Sequence, residues 1–365
     1  MTDKLRILLL EPFYGGSHKD VADGLKTHSR HDIDLLTLPD RFWKWRLRGA
    51  ALYWAGRLES PDAYDGLLVT SLMSLADLKA IWAERCPPAI VYFHENQLSY
   101  PLAPGERMDY QYGFTNISTA LSAERLLFNS HHHLQAFIGA LPGFLSMMPD
   151  CRPNWIKEAI AAKSTVVYPG CHFVPDLRRP STRNTRSPLI IWNHRWEHDK
   201  DPEAFFLALE AMQQNGIDFE LALLGEAFGK KPAVFETAAR HFGDRIVQYG
   251  RVPSRKEYYH WLQRGSIVVS TARQENFGIA VVEAMAHGCL PLLPARLSYP
   301  EILPESLHAD FLYESQKDLE VRLAHLLSHW AEYAPKRREL AAAMSVHSWP
   351  NAVEAFDREL DRLVR

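Results

Sequence analysis

The amino-acid sequence predicts an α/β protein with two doubly wound domains, and three observations support this. Short apolar runs alternate with segments of helical length along the chain, which is the pattern of βαβ units. Most of these runs are apolar throughout, as expected of parallel strands that helices cover on both faces. The length of 365 residues fits about two domains.

Eleven apolar runs are candidate strands. The first half of the chain holds six, at 5–10, 33–38, 66–70, 89–93, 125–129 and 165–168. The second half holds five, at 189–193, 219–224, 246–249, 267–270 and 290–293. Between the halves, residues 176–188 are rich in Arg, Ser, Thr and Pro without periodicity, which is typical of a linker.

The linker divides the chain into domains. We expect a Rossmann-like domain over 1–175, the linker over 176–188 and a second Rossmann-like domain over 189–348. We expect a C-terminal helix over 349–365 to pack back on the first domain. Two such domains should face each other across a central cleft, because open α/β sheets bind ligands at the carboxyl ends of their strands.

Composition narrows the possible functions. Charged residues make up 23% and hydrophobic residues 47% of the chain, which excludes a disordered or fibrous protein. The formal net charge of −3 means that a nucleic-acid site must be a local patch. The four cysteines lack metal-ligand spacing and fit a reduced interior. No apolar stretch is long enough to span a membrane and the N-terminus lacks a cleavage signal, so we expect a cytoplasmic protein without membrane contact.

Two loops that follow strands are candidate anion-binding elements. Gly15 and Gly16 separate the first strand from a helix, where glycine permits close backbone approach and the helix start offers N–H groups; a tight turn without a ligand is the alternative. Arg195 and Lys200 follow the strand at 189–193 and suit a diphosphate, with solvated surface charges as the alternative. Asp201 followed by Pro202 predicts the N-cap and first residue of the next helix.

A pair of carboxylates follows the strand at 267–270. Glu275 falls in the loop, and Glu283 falls in a helix that should begin near Gly278 and end at Gly288. Glu283 stands among Ala, Val and Met, where a carboxylate needs a partner. A ribose diol, a structural arginine or a backbone group would each supply one. The N–H groups expected to face a diphosphate are those of Phe277, Gly278 and Ile279.

Two further segments are candidates for acceptor binding. Polar residues follow the strand at 89–93 and suit hydroxyl groups; they are His94, Glu95, Asn96 and Gln97. For His94 a structural role is the alternative. Residues 40–48 interleave basic and aromatic side chains, as in surfaces that bind single-stranded RNA, unless the aromatics pack into the core. The residues singled out there are Arg41, Trp43, Lys44 and Arg46.

Two remaining features are interpreted more simply. The linker carries a second basic cluster, made of Arg178, Arg179, Arg183 and Arg186, which is either an RNA contact or solvated charge. His131, His132 and His133 do not form a metal site, because adjacent residues of a helix point in different directions. We expect them to be the exposed start of a helix capped at Asn129 or Ser130.

These residues, in this order, resemble a known family. The Gly15-Gly16 loop, Arg195 with Lys200, and Glu275 with Glu283 resemble the GT-B retaining glycosyltransferases of the glycosyltransferase-4 type. Four longer runs resemble the tRNA-queuosine α-mannosyltransferase family: EPFYGGSHK (11–19), FHENQLSYP (93–101), HRWEHDKDPE (194–203) and YPEI (299–302). The resemblance extends over most of the chain.

The resemblance implies a reaction and its partners. It implies transfer of mannose, with retention, from GDP-mannose to the cyclopentenediol of queuosine in the anticodon loop of tRNA-Asp. The first domain would bind the acceptor and the second the nucleotide sugar. It implies no cofactor and no metal ion, and it makes tRNA and the nucleotide sugar the partners.

The resemblance also implies residue roles. Arg195 and Lys200 would stabilise the leaving diphosphate, Glu275 would hold the sugar hydroxyls, Glu283 the nucleotide ribose, and His94 would lie beside the transferred sugar. The other implied donor contacts are Gly15, Gly16, Phe277, Gly278 and Ile279. The implied acceptor contacts are Ser17, His18, Glu95, Asn96, Gln97, Arg41, Trp43, Lys44 and Arg46.

Two other functions are compatible with the residues. One is a GT-B enzyme that uses another nucleotide sugar, or that acts on another queuosine tRNA, a lipid or a polysaccharide. The absence of a basic amphipathic helix argues against a lipid. The other is a catalytically idle tRNA-binding protein, which would have no need for Arg195, Lys200, Glu275 and Glu283 together.

Overall fold

The structure is a computed structural model that describes residues 4–101, 105, 108–173, 187–227 and 232–364. It divides the chain into two units: Met1–Gly170 with Trp349–Arg365, and Cys171–Ser348. Most of the predicted linker 176–188 lies outside the described residues, and so do Arg178, Arg179, Arg183 and Arg186.

The first unit contains a parallel sheet with helices on both faces. Its strands are β1 (Arg6–Tyr14), β2 (Asp32–Pro39), β3 (Gly66–Thr70), β4 (Ala89–Phe93), β5 (Arg125–Phe128) and β6 (Ser164–Val166). Its helices are α1 (Gly16–His28), α2 (Trp43–Ala55), α3 (Leu75–Trp82), α4 (Tyr110–Ser122), α5 (His131–Ser146), α6 (Ile156–Ala161) and the C-terminal α15 (Trp349–Val364). The strand order is β2-β1-β3-β4-β5-β6.

Alternate residues of β1 enter two different apolar clusters, one on each face of this sheet. Leu8 and Leu10 belong to the cluster that includes residues of α2 to α6, whereas Ile7 and Leu9 belong to the cluster with α1 and α15. Burial on both faces explains why β1 is apolar without alternation. In the second cluster Trp349 of α15 lies so close to α1 that a Cβ at Gly24 would be 1.8 Å from its ring.

The second unit contains another parallel sheet. Its strands are β7 (Leu189–Trp192), β8 (Glu220–Leu223), β9 (Ile246–Tyr249), β10 (Ile267–Val269), β11 (Leu290–Pro294) and β12 (Leu312–Tyr313). Its helices are α7 (Pro202–Gln214), α8 (Val234–Phe242), α9 (Arg255–Arg264), α10 (Ile279–Ala286), α11 (Tyr299–Ile302), α12 (His308–Phe311), α13 (Gln316–His329) and α14 (Ala334–Ala343). The strand order is β12-β11-β10-β7-β8-β9.

The predicted fold class is confirmed. All eleven predicted strands are present, paired in parallel, with ends that differ by at most two residues except that β1 continues to Tyr14. The two-residue strand β12 was not predicted, because a pair of residues carries no periodicity. Within the described ranges, no helix combines the length and the hydropathy needed to cross a bilayer.

The histidine run at the start of α5 differs from the prediction. Ser130 caps the helix, since its Oγ accepts the N–H of His133 at 2.9 Å. His133 is buried rather than exposed, and its Nδ1 lies 2.8 Å from Asn129 Oδ1. Its ring packs edge-on against Phe128. The third histidine is therefore a core residue.

Candidate active site

In the second unit, a buried lysine and an accessible arginine lie among carboxylates beyond the end of β7. The Lys200 ammonium lies 3.3 Å from Glu275 Oε2 and 3.3 Å from Asp199 Oδ2. The Arg195 guanidinium lies 3.2 Å from Glu197 and 3.8 Å from Asp199. The Arg195 side chain is 47% exposed and that of Lys200 only 8%. Arg195 is therefore accessible to a ligand, while Lys200 contributes positive charge from a buried position.

The backbone that carries Lys200 is held against the loop after β10. The Thr271 hydroxyl lies 2.8 Å from the carbonyl oxygens of both Lys200 and Asp201. Asp201 has a φ of 49° and caps α7, and its carboxylate accepts a 2.8 Å hydrogen bond from Arg273 Nε. Pro202 is the first residue of that helix, so the predicted cap is confirmed. The left-handed backbone of Asp201 costs energy that these contacts offset.

Lys200 sets the ionisation of its neighbours. Burial raises the pKa of Glu275, but Lys200 and His194 outweigh it and bring that pKa below its usual value. Burial, and then Lys200, lowers the pKa of His194 to about 4. At neutral pH Glu275 is a carboxylate and His194 a neutral imidazole. The cluster thus offers an acceptor for hydroxyl groups beside cations suited to a phosphate.

The second carboxylate of the predicted pair is buried on α10. That helix begins after Gly278, whose φ of 99° requires glycine, and ends before Gly288 with a φ of 85°, as predicted. Glu283 is 4% exposed and lies 3.6 Å from the Arg255 guanidinium. Burial and Glu283 raise the pKa of Tyr258 well above its usual range. Arg255 thus forms an ion pair with Glu283 that is longer than a hydrogen bond, which is compatible with a ribose diol as a further partner of this carboxylate.

The two glycines of the first unit form the start of α1. Gly15 is the N-cap and Gly16 has a φ of 50°. A Cβ at Gly15 would lie 2.1 Å from Asp40 Oδ2, so Asp40 already requires a glycine at that position. Ser17, in the first turn, is exposed.

Four polar side chains of the first unit form what we call the His18 cluster: Glu11, His18, His94 and Glu95. His18 Nδ1 lies 3.1 Å from both oxygens of Glu11, and its Nε2 lies 3.1 Å from Glu95 Oε2. Burial lowers the pKa of His18, but the two glutamates outweigh it and raise that pKa to about 10. Burial, followed by His18, lowers the pKa of His94 well below its usual value. In this cluster the protonated ring of His18 therefore lies against the neutral ring of His94.

The same residues invite comparison with a metal site. One ligand atom each of Glu11, His18 and His94 lie within 4.8 Å of one another. Histidine binds metal through the in-plane lone pair of a ring nitrogen. The rings of His18 and His94 are stacked, with centroids 3.9 Å apart and planes 28° apart. Each lone pair lies in the plane of its own ring, so two stacked rings are poorly arranged to share one ion, and the geometry fits an ion pair better.

The polar loop after β4 is partly self-contained. Asn96 is buried, and its Oδ1 accepts the N–H groups of Leu98 at 3.0 Å and Ser99 at 2.9 Å. The N–H of Gln97 donates to Asn116 Oδ1 at 2.7 Å. Asn96 shapes this loop, while the side chains of Glu95 and Gln97 are only half-buried.

The predicted RNA-binding segment forms the start of α2 and is largely exposed. Phe42 is 67% and Trp45 78% exposed, so the alternative that the aromatics pack into the core is wrong for these two. The Lys44 ammonium lies 5.5 Å from the centroid of the Trp43 ring. Arg41 is exposed, and Arg46 is half-buried beside the carbonyl of Pro39. The residues that α2 buries are Leu47, Ala50, Ala51 and Trp54.

Two charged residues at these sites received no role from the sequence. Asp199 is buried between Arg195 and Lys200, and Glu11 is fully buried beside His18. Asp199 lies in the polar loop that follows β7, and that position is the signal that would have found it. Glu11 interrupts the apolar sequence of β1, where a carboxylate needs a partner.

The fold and the family match of the second unit place this chain among the glycosyltransferases of the GT-B class. Residues 173–343 match the family described as glycosyl transferases group 1. A sucrose-phosphate synthase from Thermosynechococcus elongatus has the same fold, with a TM-score of 0.71 and 13% identity over 98% of this chain and 99% of that one.

The sequence places the chain more narrowly. Residues 6–171 match the family described as tRNA-queuosine α-mannosyltransferase N-terminal. The tRNA-queuosine α-mannosyltransferase of Drosophila melanogaster is 38% identical over 312 residues, which are 83% of this chain and 82% of that protein. The chain therefore belongs to the tRNA-queuosine α-mannosyltransferase family. A GDP-mannose:cellobiosyl-diphosphopolyprenol α-mannosyltransferase of Xanthomonas campestris is 26% identical over 121 residues, 32% of each chain.

Proposed function

We propose that this chain transfers mannose, with retention, from GDP-mannose to the cyclopentenediol of queuosine in the anticodon loop of tRNA-Asp. Family membership supports the reaction and the acceptor, and the Xanthomonas relative supports the donor. The observation that carries the proposal is the contact of Lys200 with Glu275 beside Arg195. The loop after β7 supplies cations for a diphosphate, and the loop after β10 supplies a carboxylate for the sugar hydroxyls.

The chemistry requires charge stabilisation at the leaving group. The bond between mannose C1 and the phosphate oxygen breaks, and C1 bonds to the acceptor oxygen on the same face. The acceptor proton passes to the departing phosphate oxygen, so atoms and charges balance. Arg195, Lys200 and the N–H groups at the start of α10 stabilise the growing negative charge. In this proposal no metal ion acts at the diphosphate.

The remaining groups bind and orient the substrates. Glu275, ionised at neutral pH, accepts hydrogen bonds from the mannose hydroxyls, and Glu283 accepts them from the ribose diol. Gly15 and Gly16 contribute backbone contacts to the donor. In the first unit, His94 offers a neutral imidazole to the transferred mannose.

The start of α2 supplies a surface for the tRNA. Its exposed aromatic rings suit stacking with unpaired bases, and Arg41, Lys44 and Arg46 suit the phosphates. Helix α2 carries three basic residues and no acidic one over Trp43–Ala55, and Arg41 lies just before it. The local charge therefore favours RNA despite the net charge of the chain. A tRNA acceptor also favours action in the cytoplasm.

Transfer to defined tRNA tests this proposal. Radiolabelled GDP-mannose is incubated with the purified chain and tRNA-Asp, prepared with and without queuosine. We expect label on the queuosine-containing tRNA alone. Label on both tRNAs would contradict the acceptor. Label on neither would contradict the proposed pair of substrates, and other labelled nucleotide sugars on the same tRNA would then separate a wrong donor from a wrong acceptor.

A further inference from the structure

Both ring nitrogens of His18 contact glutamates, so the imidazole meets His94 through the face of its ring. We propose that His18 is a positioning residue for His94, held in place by Glu11 and Glu95, and that it does not itself bind the acceptor. This inference rests on the proposed function at one point, which is that His94 contacts the transferred sugar.

Three separate backbone segments fix the ring of His18. Glu11 belongs to β1 and is fully buried, and its Oε1 also accepts the N–H of Phe13 at 2.8 Å, which orients the carboxylate. His18 belongs to α1, and Glu95 to the loop after β4. Contacts at opposite ring nitrogens, each at 3.1 Å, define both the position and the plane of the imidazole. Within the described residues, the ion pairs of both glutamates are made with His18.

The fixed ring of His18 in turn orients His94. The two rings stack with centroids 3.9 Å apart, and the Tyr92 ring meets His94 edge-on at 4.8 Å. His94 thus contacts a stacked cationic ring and a perpendicular tyrosine ring. The titratable groups near the His94 ring are His18, Tyr92, the buried His133 and Glu11, whose carboxylate lies within 4.8 Å of a His94 ring nitrogen. Burial, and then the cation on its ring face, disfavour a second proton on His94, so His94 stays neutral and keeps one nitrogen as an acceptor.

A positioning role predicts a particular kinetic pattern. Moving a contact of the transferred sugar by a fraction of an ångström should affect the reacting geometry more than binding. Loss of the His18 support should therefore lower kcat and leave KM for donor and tRNA nearly unchanged. If His18 or Glu95 bound the acceptor directly, KM for tRNA would rise instead.

The first experiment observes the rings in the unmodified chain. In ¹⁵N-labelled protein we expect the His18 ring to keep both protons and the His94 ring to stay neutral between about pH 6 and about pH 8, although free histidine titrates at about 6.5. An ordinary titration of either ring would overturn the proposal. So would a tightly bound divalent ion in the purified chain, because it would take the place of the His18 proton.

The second experiment removes one support. Glu11→Gln keeps the size of the side chain, and Glu11 is too deeply buried to contact a substrate. We expect kcat to fall about 10- to 100-fold, both KM values to stay within about twofold, and the His94 ring signals to shift. Asp23→Asn is the matched control, since Asp23 pairs with Lys19 on the exposed side of the same helix; it should change none of these.

The outcomes separate this proposal from the function it builds on. Unshifted His94 signals in Glu11→Gln would overturn the positioning role, whatever the activity. A shift of those signals in a chain that transfers no mannose would contradict the proposed function and leave the positioning of His94 in place. Should Glu11→Gln fail to fold, Glu95→Gln removes the support at the other nitrogen and gives the same readouts.

Discussion

The Lys200 ammonium lies 3.3 Å from Glu275 Oε2, although 75 residues separate the two in the chain. It also donates to the carbonyl oxygen of Gln274 at 2.6 Å. Lys200 therefore fixes the loop that carries Glu275 and also stabilises the negative charge of the Glu275 carboxylate. A single substitution at this lysine should disturb the diphosphate contact and the sugar contact together.

Lys200→Met tests this double role. The substitution keeps an unbranched side chain but removes the charge, so we expect turnover to fall at least about 10²-fold. The pKa of Glu275 should rise, because burial raises it and the opposing effect of Lys200 is gone. As pH is lowered, the remaining activity of the variant should therefore begin to fall at a higher pH than the activity of the unmodified chain. Steady-state transfer measured across pH checks both effects. Lys317→Met, at a side chain 83% exposed on α13, is the control, and equal rates for the two variants would contradict the assignment.

Arg195→Ala separates catalysis from stability. Because the Arg195 side chain is half-exposed, its loss should hardly change the melting temperature. Loss of its contact to the leaving group should lower turnover at least about 10²-fold. Arg251→Ala is the matched control: Arg251 is a more exposed arginine of the same unit, paired with Glu226 at 3.0 Å. A rate near that of the unmodified chain would refute the leaving-group role of Arg195.

The fold was largely predictable from the sequence, because it depends on local patterns. Strands such as β3 and β4 match their apolar runs residue for residue, and the Asp201 cap follows from a local rule about residues before proline. The long-range contacts were not predictable in this way. Glu95 meets His18 across 77 residues, and no local pattern specifies which buried carboxylate will meet which histidine.

The solvent exposure of the aromatic side chains on α2 was also not predictable from local sequence patterns. Trp45 and Trp54 lie on the same helix, yet one is 78% exposed and the other buried. Which of them faces the core depends on how α2 docks on the sheet, and the mixed aromatic and basic sequence of residues 40–48 gives no clear apolar stripe. The sequence alone is therefore compatible with both alternatives for this segment, and the position of α2 in the structure distinguishes them.

Trp45→Ala tests the proposed RNA surface. An aromatic ring that stacks on an unpaired base contributes about 1–3 kcal/mol, so tRNA binding should weaken by that amount. The dependence of binding on salt should stay unchanged, because no charge is lost, whereas Lys44→Ala should make it less steep. Filter binding or fluorescence titration at several salt concentrations checks this. Trp155→Ala removes another exposed tryptophan, 61% exposed near α6; if it weakens binding equally, α2 is not the specific surface.

Buried neutral histidines make the second unit sensitive to acid. Burial lowers the pKa of both His194 and His347 to about 4, while an unfolded histidine titrates at about 6.5. The unfolded chain therefore binds more protons between these values. Their contribution to stability is complete above about pH 6.5 and is lost as pH falls toward 4. The urea midpoint of unfolding should drop over that range and drop less in His194→Gln. The exposed His241→Gln should follow the unmodified chain, and a midpoint independent of pH would contradict the burial argument.

Gly24→Ala tests the packing of α15 on α1. A Cβ at this position would lie 1.8 Å from the ring of Trp349, which is 1% exposed and has no room to move away. Overpacking of this kind costs about 1–3 kcal/mol, so the first unit should unfold at lower temperature. Gly49→Ala is the matched control in α2, where no described heavy atom lies within 4 Å of the new Cβ. It should stabilise the helix by about 0.5–1 kcal/mol. Opposite shifts in melting temperature are expected for the two substitutions, and a stabilising Gly24→Ala would mean that α15 does not pack against α1 as described.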